Sequence, residues 1–288
     1  MSIRVQRILQ QAGLASRRAA EEWIRAGRVT VNGRPIALGE AADPAKDQIA
    51  VDGRPVQVED KPRVYLALHK PPGYTTSLKD RHAEHLISEL IPKKFGRLFP
   101  VGRLDRDSEG LILLTNDGAM AHALMHPSKG ITKLYEVWVE GVPRKSHLDR
   151  MRRGIMLEDG LAQADRVDLV KKSDGRALLR IALHEGRKRE VRRIFDSIGH
   201  PVVQLTRVQY GNIRLEGLDP GRSRPLTHRE VRELKALLSN KQERTEAAHE
   251  GPRSQRGGQE HRRGQNLPTT RPRHTVSHAR RNSGRSDR

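Results

Sequence analysis

The chain of 288 residues is long enough for about two ordinary domains, and its formal net charge of +20 is large for that length. Such a charge attracts polyanions and predicts salt-dependent binding to nucleic acid, whereas we expect neither a membrane span nor a secretory signal from the polar sequence. The lack of cysteine excludes disulfides, thiolate nucleophiles and cysteine-based metal sites, and it fits a cytoplasmic protein.

Residues 1–60 are predicted to form a compact α/β module. Apolar residues recur with helical spacing from Val5, and Gly13 follows as a stop signal. Ser16 can cap a second helix, which Gly27 ends.

Two turn signals follow in the same module. The phrases VNGRPI (31–36) and VDGRPV (51–56) each place Asn-Gly or Asp-Gly after a short apolar stretch, a strong hairpin signal. With only six residues in common, we interpret them as two similar turns and not as an architectural repeat.

Arginines are concentrated on the second predicted helix. Arg17, Arg18 and Arg25 lie within it, and Arg28 follows its end. Cations grouped beside a helix can contact successive phosphates of structured RNA, although a solvated helix face has the same composition.

Residues 61–238 are predicted to form a second domain made mostly of strands. A helix is expected at about 188–198, ended by Gly199 and Pro201. Many strands with few helices indicate an α+β fold with a mixed or antiparallel sheet. The clearest strand candidates are VYLALH (64–69), LILLT (111–115), YEVWVEG (135–141) and ALLRIAL (177–183).

The last segment, 239–288, has a different composition. It carries twelve Lys/Arg and five Asp/Glu, and Leu267 and Val276 are its only large apolar residues. So little apolar surface cannot offset the entropy of ordering, and we predict a disordered basic tail.

The richest polar segment is VGRLDRDSEGLILLTNDG (101–118), a loop that leads into a buried strand. Asp105, Asp107 and Glu109 alternate there, which is compatible with a hard-metal site or with a glycosidase-like carboxylate pair. The rest of a calcium-binding pattern is missing. Arg103 and Arg106, placed among the acids, also argue against a bound cation.

Several motifs resemble known families. Two short helices followed by GRVTVNGRP resemble the S4 RNA-binding domain over about residues 3–58. GRLDRDSEGLILLTNDG resembles the catalytic motif of the ribosomal small- and large-subunit pseudouridine synthases of the RsuA/RluB type. KPPGYTTS (70–77), EGRKREVRRIFDSIGHPVVQL (185–205) and YGNIRLEGLDPGRSRPLTHREV (210–231) extend the likeness to about residue 235.

The resemblance implies isomerisation of uridine to pseudouridine without a cofactor or metal. It places the catalytic carboxylate on Asp105, either as nucleophile at C1′ or as base at C2′. Arg192 is expected to pair with this carboxylate and keep it ionised, since a closed pocket desolvates it. Tyr135 matches the active-site tyrosine of the family, although a strand tyrosine can also be a core residue. Arg103 is expected to fill the space left by the flipped base.

The segment after the last strand candidate is also expected to contact RNA. Cations at the start of a helix oppose the helix dipole, and phosphate binding would compensate for this. The family often has Asn and Gln where this chain has Lys188 and Glu190. Lys70-Pro71-Pro72-Gly73 is expected to form a turn and to take no part in the chemistry. The expected phosphate contacts are Arg187, Lys188, Arg189 and Arg193.

The expected partner is ribosomal RNA, with 23S favoured over 16S because LMHP (124–127) and RVQYGNIRLEGL (207–218) resemble the large-subunit branch. No helical seam predicts an obligate dimer, so we expect a monomer. A noncatalytic RNA-binding or ribosome-assembly protein is the first alternative. A nucleosidase that releases free base is the second, suggested by the acids.

Overall fold

A computed structural model of the protein describes residues 2–57 and 62–249. The first of these ranges contains a small α/β module with its own core. Its elements are β1 (Ile3–Arg4), α1 (Val5–Gln11), α2 (Arg17–Arg25), β2 (Val29–Val31), β3 (Arg34–Pro35), β4 (Ala41–Ala42), β5 (Ile49–Val51) and β6 (Arg54–Pro55).

The two helices of the module are those that the sequence predicts. Ser16 caps α2, because its hydroxyl accepts a hydrogen bond of 3.1 Å from the amide of Ala19. Val5, Ile8 and Leu9 of α1 are fully buried and pack in one cluster with the apolar side of α2. The module therefore depends on a separate hydrophobic core.

The repeated phrases form two equivalent hairpins. Asn32 and Gly33 have φ values of 53° and 80°, and Asp52 and Gly53 have 49° and 75°. Two consecutive positive φ angles are the requirement of a type I′ turn, which Asn-Gly and Asp-Gly satisfy. β2 and β5 pair antiparallel, so the sheet order is β3-β2-β5-β6 and the interpretation as two similar turns is confirmed.

The second domain follows the undescribed residues 58–61. Its strands are β7 (Tyr65–Lys70), β8 (Tyr74–Thr75), β9 (His85–Leu86), β10 (Phe99–Val101), β11 (Glu109–Thr115), β12 (Lys133–Glu140), β13 (Ile155–Leu157), β14 (Gly160–Ala162), β15 (Arg166–Ser173), β16 (Arg176–Leu183), β17 (Val202–Tyr210), β18 (Ile213–Arg214) and β19 (Ser223–Pro225). Its helices are α3 (Gly118–Met125), α4 (Lys145–Arg153), α5 (Glu190–Asp196) and α6 (His228–His249), with 3₁₀ turns at Ile87–Leu90, Lys93–Phe95 and Pro127–Lys129.

Among the described residues, nine strands form one mixed sheet in the order β15-β16-β12-β17-β11-β7-β19, with β10 beside β11 and β18 beside β17. β11 and β17 run parallel, and the other pairings of this sheet are antiparallel. The predicted α+β class with a mixed sheet is the architecture observed.

The alternation of side chains along β11 divides the apolar residues between two faces of the sheet. Ile112 and Leu114 belong to a core that includes residues of α4 and α5. Leu111 and Leu113 belong to a second core that includes residues of α3 and α6. The continuous apolar run in LILLT thus reflects a strand buried on both faces.

α6 continues to His249, so it includes residues 239–249, the first eleven residues of the segment predicted as a basic tail. Lys, Gln, Glu, Arg and Ala have high helix propensity, and α6 is anchored upstream by buried Leu234. A segment with few apolar residues cannot form a core of its own, but it can extend a helix whose earlier part packs into a core. Residues 250–288 of the tail lie outside the described part of the chain.

The predicted helix at 188–198 is shorter in the structure. α5 begins at Glu190 because Arg189, with a φ of 50°, takes the left-handed conformation at the N-cap. No helix of the described residues is long and apolar enough to cross a membrane.

Candidate active site

A cavity of about 1000 Å³ opens where the loop after β10 meets β12, β17 and the residues before α5. Asp105 and Tyr135 both line it, so the structure brings together two of the three residues expected to be catalytic. Arg192 is not among the lining residues. The charged lining residues are Arg103, Asp105, Lys133, Asp159, Glu185, Arg187, Lys188, Arg189, Glu190 and Arg207.

The loop that carries Asp105 is held by Lys70, the last residue of β7, and by Thr76, which follows β8. Lys70 is fully buried, and its ammonium donates to the carbonyls of Pro71 and Ser108 at 2.9 and 2.7 Å. The hydroxyl of Thr76 donates to the carbonyl of Leu104 at 2.7 Å and accepts from the Leu104 amide at 3.2 Å. KPPGYTT therefore fixes the backbone on both sides of Asp105, a supporting role beyond the turn that the sequence predicts.

Lys70 also supplies positive charge to this loop. Burial lowers the pKa of Lys70 to about 8, while the nearby carboxylates of Asp107, Asp105 and Glu109 act in the opposite direction. The ammonium is thus still mostly charged at neutral pH. Its positive charge interacts electrostatically with the carboxylate of Asp105.

The end of the loop requires glycine. Gly110 has a φ of 111°, and a β-carbon there would lie 2.4 Å from the carbonyl oxygen of Arg207 on β17. β11 and β17 pair in parallel at this point, with Gly110 opposite Arg207. The close approach of two backbones sets where the loop stops and the buried strand begins.

The three alternating acids have three different environments. Glu109 accepts hydrogen bonds of 2.8 Å from Gln204 and from Thr206. Asp107 lies 3.2 Å from the guanidinium of Arg189. Asp105 is partly buried, and no group of the described residues donates a hydrogen bond to its carboxylate. The acids therefore do not converge on one point, as a shared metal site or a carboxylate pair would require.

The expected ion pair between Asp105 and Arg192 is not present. Arg192, which is buried, lies 3.2 Å from the carboxylate of Asp107 and donates to the carbonyl oxygens of Asp107 and Val202 at 3.1 and 3.2 Å. The reason is geometric: Arg192 lies on the inner side of α5 against the end of the loop, two residues beyond Asp105. Its contacts hold the loop and do not neutralise the candidate catalytic carboxylate.

The floor of the cavity contains two buried cations that the sequence analysis missed. Lys133 donates to the carbonyls of His184 and Glu185 at 2.8 and 3.0 Å, and its pKa is lowered to about 8 by burial and by Arg207. Arg207 lies 5.3 Å from the centre of the Tyr210 ring and donates to the Leu111 carbonyl. The available signal was a charged residue two positions from apolar residues of the same strand face: Lys133 precedes Tyr135 and Val137 in this spacing, and Arg207 follows Leu205.

Glu190 is another residue whose role the sequence did not show. It is buried at the start of α5, and one carboxylate oxygen accepts from the amide of Arg187 at 3.2 Å. The other oxygen has no hydrogen-bond partner among the described groups, and burial raises the pKa of Glu190. This side chain adds a further acidic group to a cavity lined by more basic than acidic residues.

Tyr135 lies at the boundary between the cavity and the core. Its position on β12 buries it to 8% exposure in the larger apolar cluster, and the same side chain lines the cavity. Both readings of this residue are therefore compatible with its position: it packs in the core and presents an aromatic surface to the site.

Most of the basic residues of the segment 187–193, which includes the start of α5, are bound within the protein. Arg193 forms two hydrogen bonds to Asp159, at 2.8 and 2.9 Å, and Arg187 donates to the carbonyl of Leu161 at 2.5 Å. Arg189 lies beside Asp107. Lys188 is exposed and has no ion-pair partner among the described residues. Of the four expected phosphate contacts, Lys188 is the one whose charge is free.

The other arginines expected to contact RNA also divide into those that are exposed without an ion-pair partner and one that is paired within the protein. Arg103 is exposed at the cavity. Arg17 and Arg18 are exposed on α2, without ion-pair partners in the described part of the chain. Arg28, in contrast, donates to both carboxylate oxygens of Asp52 and lies 5.1 Å from the ring of Trp23.

Known proteins share both parts of this arrangement. Residues 64–197 match the family model described as RNA pseudouridylate synthase, and residues 3–44 match the S4 domain. A Bacillus subtilis (strain 168) relative named ribosomal large subunit pseudouridine synthase B is 41% identical over 240 residues, which are 82% of this chain and 97% of the relative. A Mycobacterium leprae (strain TN) relative, an uncharacterized RNA pseudouridine synthase, is 44% identical over 81% of this chain and 92% of its own length.

A solved structure agrees with these sequence matches. The crystal structure of a pseudouridylate synthase has a TM-score of 0.57 and 28% identity, covering 81% of this chain and 99% of its own. The matched regions include the loop of Asp105, the strand of Tyr135 and the basic helix α5. The resemblance drawn from the motifs is confirmed, and the chain belongs to the RNA pseudouridylate synthase family.

Proposed function

We propose that this protein isomerises uridine to pseudouridine in the 23S rRNA of the large ribosomal subunit, with Asp105 as the catalytic carboxylate. The observation that carries the proposal is the placement of Asp105. It is the acid of its loop whose carboxylate has no partner among the described residues and faces a cavity with a cationic floor. The relatives named for the large ribosomal subunit support the choice of 23S rRNA.

The chemistry follows from the environment of Asp105. The bond between C1′ and N1 of uridine breaks, the base turns, C1′ bonds to C5, and the proton of C5 is released while N1 gains one. Asp105 acts either by attacking C1′ or by removing the proton of C2′, and both routes need an ionised carboxylate beside the ribose. The ammonium of Lys70, buried at the base of the loop, places a positive charge near Asp105.

The remaining site residues have positioning and binding roles in this proposal. Tyr135 presents its ring to the flipped uracil, which recovers part of the unstacking free energy of a few kcal/mol. Arg103 occupies the space that the base leaves. Arg192 fixes the end of the loop through the backbone carbonyl of Asp107. Arg17, Arg18 and Lys188 contact phosphates, and the protein acts as a cytoplasmic monomer on RNA without a membrane or cofactor.

The decisive variant is Asp105→Asn, which keeps the volume of the side chain and removes its charge. We expect it to abolish pseudouridine formation in 23S transcripts while RNA affinity and melting temperature stay near those of the wild type. A turnover within about tenfold of wild type, equivalent to ~1.4 kcal/mol of barrier, would contradict the assignment.

Two matched controls separate this reading from the alternatives. Asp107→Asn and Glu109→Gln remove the neighbouring charges, which have partners within the protein. Both variants retain turnover in our proposal and lose it if the acids share a metal or act as a pair. Modification of 16S transcripts in preference to 23S transcripts would overturn the choice of substrate, and unaltered uridine with the intact enzyme would support the noncatalytic alternative.

A further inference from the structure

A second cavity, of about 590 Å³, lies at the opposite end of β7 from the catalytic loop. It is bounded by the first residues after the segment 58–61, by β19 and by the first turns of α6. Tyr65 begins β7 and Lys70 ends it, so the rise of a strand separates the two by about 17 Å. The residues that matter are Arg63, Tyr65, Phe95, His228, Arg232 and Lys235.

The charged side chains that line this cavity, among the described residues, are all basic. No Asp or Glu of the described residues lines it, and Arg63, Arg232 and Lys235 have no carboxylate within ion-pair distance in that part of the chain. Elsewhere on the same helix, Arg229 pairs with Glu233 at 2.7 Å. The cations that face the cavity are therefore the ones left unpaired, which favours an anionic ligand.

Aromatic rings accompany these cations. The hydroxyl of Tyr65 donates to Asp117 at 2.8 Å, which fixes the ring, and the ammonium of Lys235 lies 6.0 Å from the ring centre. The ammonium of Lys94 lies 5.0 Å from the ring centre of Phe95. A fixed ring next to free cations suits a ligand that combines a flat base with a phosphate.

We propose that this second cavity binds one nucleotide of the rRNA strand that flanks the target uridine. Its volume lies within the range of about 300–1000 Å³ that small-ligand pockets occupy. The inference rests on the proposed function, because the same RNA must occupy the active-site cavity. Given the length of β7, the nucleotide bound here lies outside the active-site cavity and contributes affinity and placement, not chemistry.

The first test uses the full-length protein and two RNAs: a minimal stem-loop with the target uridine, and the same stem-loop with long single-stranded flanks. The variant Arg232→Ala/Lys235→Ala removes two cavity cations. The control Arg176→Ala/Arg229→Ala removes two exposed cations that are paired with Glu140 and Glu233. Melting temperatures verify that all proteins fold.

We expect the cavity variant to bind the long RNA more weakly and to reduce the slope of log affinity against log salt by about 1.4, because two phosphate contacts to a single strand are lost. Affinity for the short RNA and its turnover at saturation should match those of the control. Equal affinities of the cavity and control variants for the long RNA overturn the proposal.

The second test concerns the ring. Tyr65→Phe keeps the ring and removes the bond to Asp117, whereas Tyr65→Leu removes both. Loss of base stacking should weaken binding of the long RNA by about fivefold or more in the Leu variant relative to the Phe variant. Equal affinities would overturn the nucleotide assignment, as would competition by polyglutamate that exceeds competition by RNA. Pseudouridine formation in the short RNA reports on the proposed function separately, so failure of one proposal is distinguishable from failure of the other.

Discussion

Arginine-rich sequence occurs in two regions of this protein, on α2 and in the segment 187–193, and both are expected to contact phosphates. In the structure they differ. Arg17 and Arg18 of α2 extend into solvent without carboxylate partners among the described residues. In the segment 187–193, the arginines bind carboxylates and carbonyls of neighbouring strands and loops.

The difference teaches that a dense positive charge in the sequence does not show which cations are free. α2 lies at the surface of a small module with its own core, and no carboxylate of the described residues lies within ion-pair distance of Arg17 or Arg18, whereas Arg25 lies 4.0 Å from Glu21. α5 is packed between the sheet and the β13–β14 hairpin, where Asp159 and Asp107 are within reach. We therefore expect the first region to bind RNA and the second mainly to hold the loop of Asp105.

The largest expected effect concerns Arg192. Arg192→Gln should lower the free energy of unfolding by about 2–3 kcal/mol, because hydrogen bonds from a buried charged group are lost. It should also reduce kcat by about a hundredfold with little change in KM, since the loop of Asp105 loses its fixed position. Chemical denaturation and single-turnover kinetics measure the two effects. Arg189→Gln removes an exposed partner of the same Asp107 and should change stability by less than about 1 kcal/mol; equal effects of the two variants would contradict this reading.

The second effect concerns Lys133, which donates hydrogen bonds to the carbonyl groups of His184 and Glu185, just before the segment 187–193. Its pKa in the folded protein is about 8, below the usual 10.5, so the unfolded chain binds more protons between these values and stability rises with pH in this window. The variant Lys133→Met has no ionisable group at this position and therefore lacks this rise in stability with pH. The difference in unfolding free energy should therefore shift in favour of wild type by up to about 2 kcal/mol between pH 7 and pH 9.5. A difference that stays constant over this range would show that Lys133 is not buried as a cation.

The third effect tests the region on α2. Arg17→Ala/Arg18→Ala should reduce the slope of log affinity against log salt by about 2, because two phosphate contacts to duplex RNA are removed. Turnover at saturating RNA should not change. If the slope equals that of wild type in titrations between low and moderate salt, these arginines form a solvated face and nothing more.

The smallest effect is expected for Arg28. Its guanidinium is held by Asp52 and lies against Trp23, so Arg28→Ala should leave the salt slope nearly unchanged. A slope reduced as much as in the α2 double variant would show that Arg28 exchanges Asp52 for phosphate. Asp52→Asn is the matched variant: it frees Arg28 and should leave binding equal or slightly tighter.

The sequence by itself determined the local elements and the chemistry of the main motif. Asn-Gly and Asp-Gly determine their turns because the positive φ angles they need are disfavoured for most residues. The run at 111–115 predicts a strand buried on both faces, and the motif with Asp105 identifies the family. The sequence did not indicate that α6 extends into the segment predicted as a tail, because helix propensity and core formation are separate properties.

Tertiary structure decided which charges are neighbours. Asp105, Asp107 and Glu109 are equivalent as a pattern, but the partners of Asp107 and Glu109 come from the start of α5 and from β17, which lie 82 to 97 residues further along the chain. Lys70, Lys133 and Arg207 lie in strands whose sequence shows that they are charged but not that they are buried. Burial depends on which strands pair and which helices cover them. The strength of an electrostatic interaction depends on the distance between the charges in space, not on their separation in the sequence.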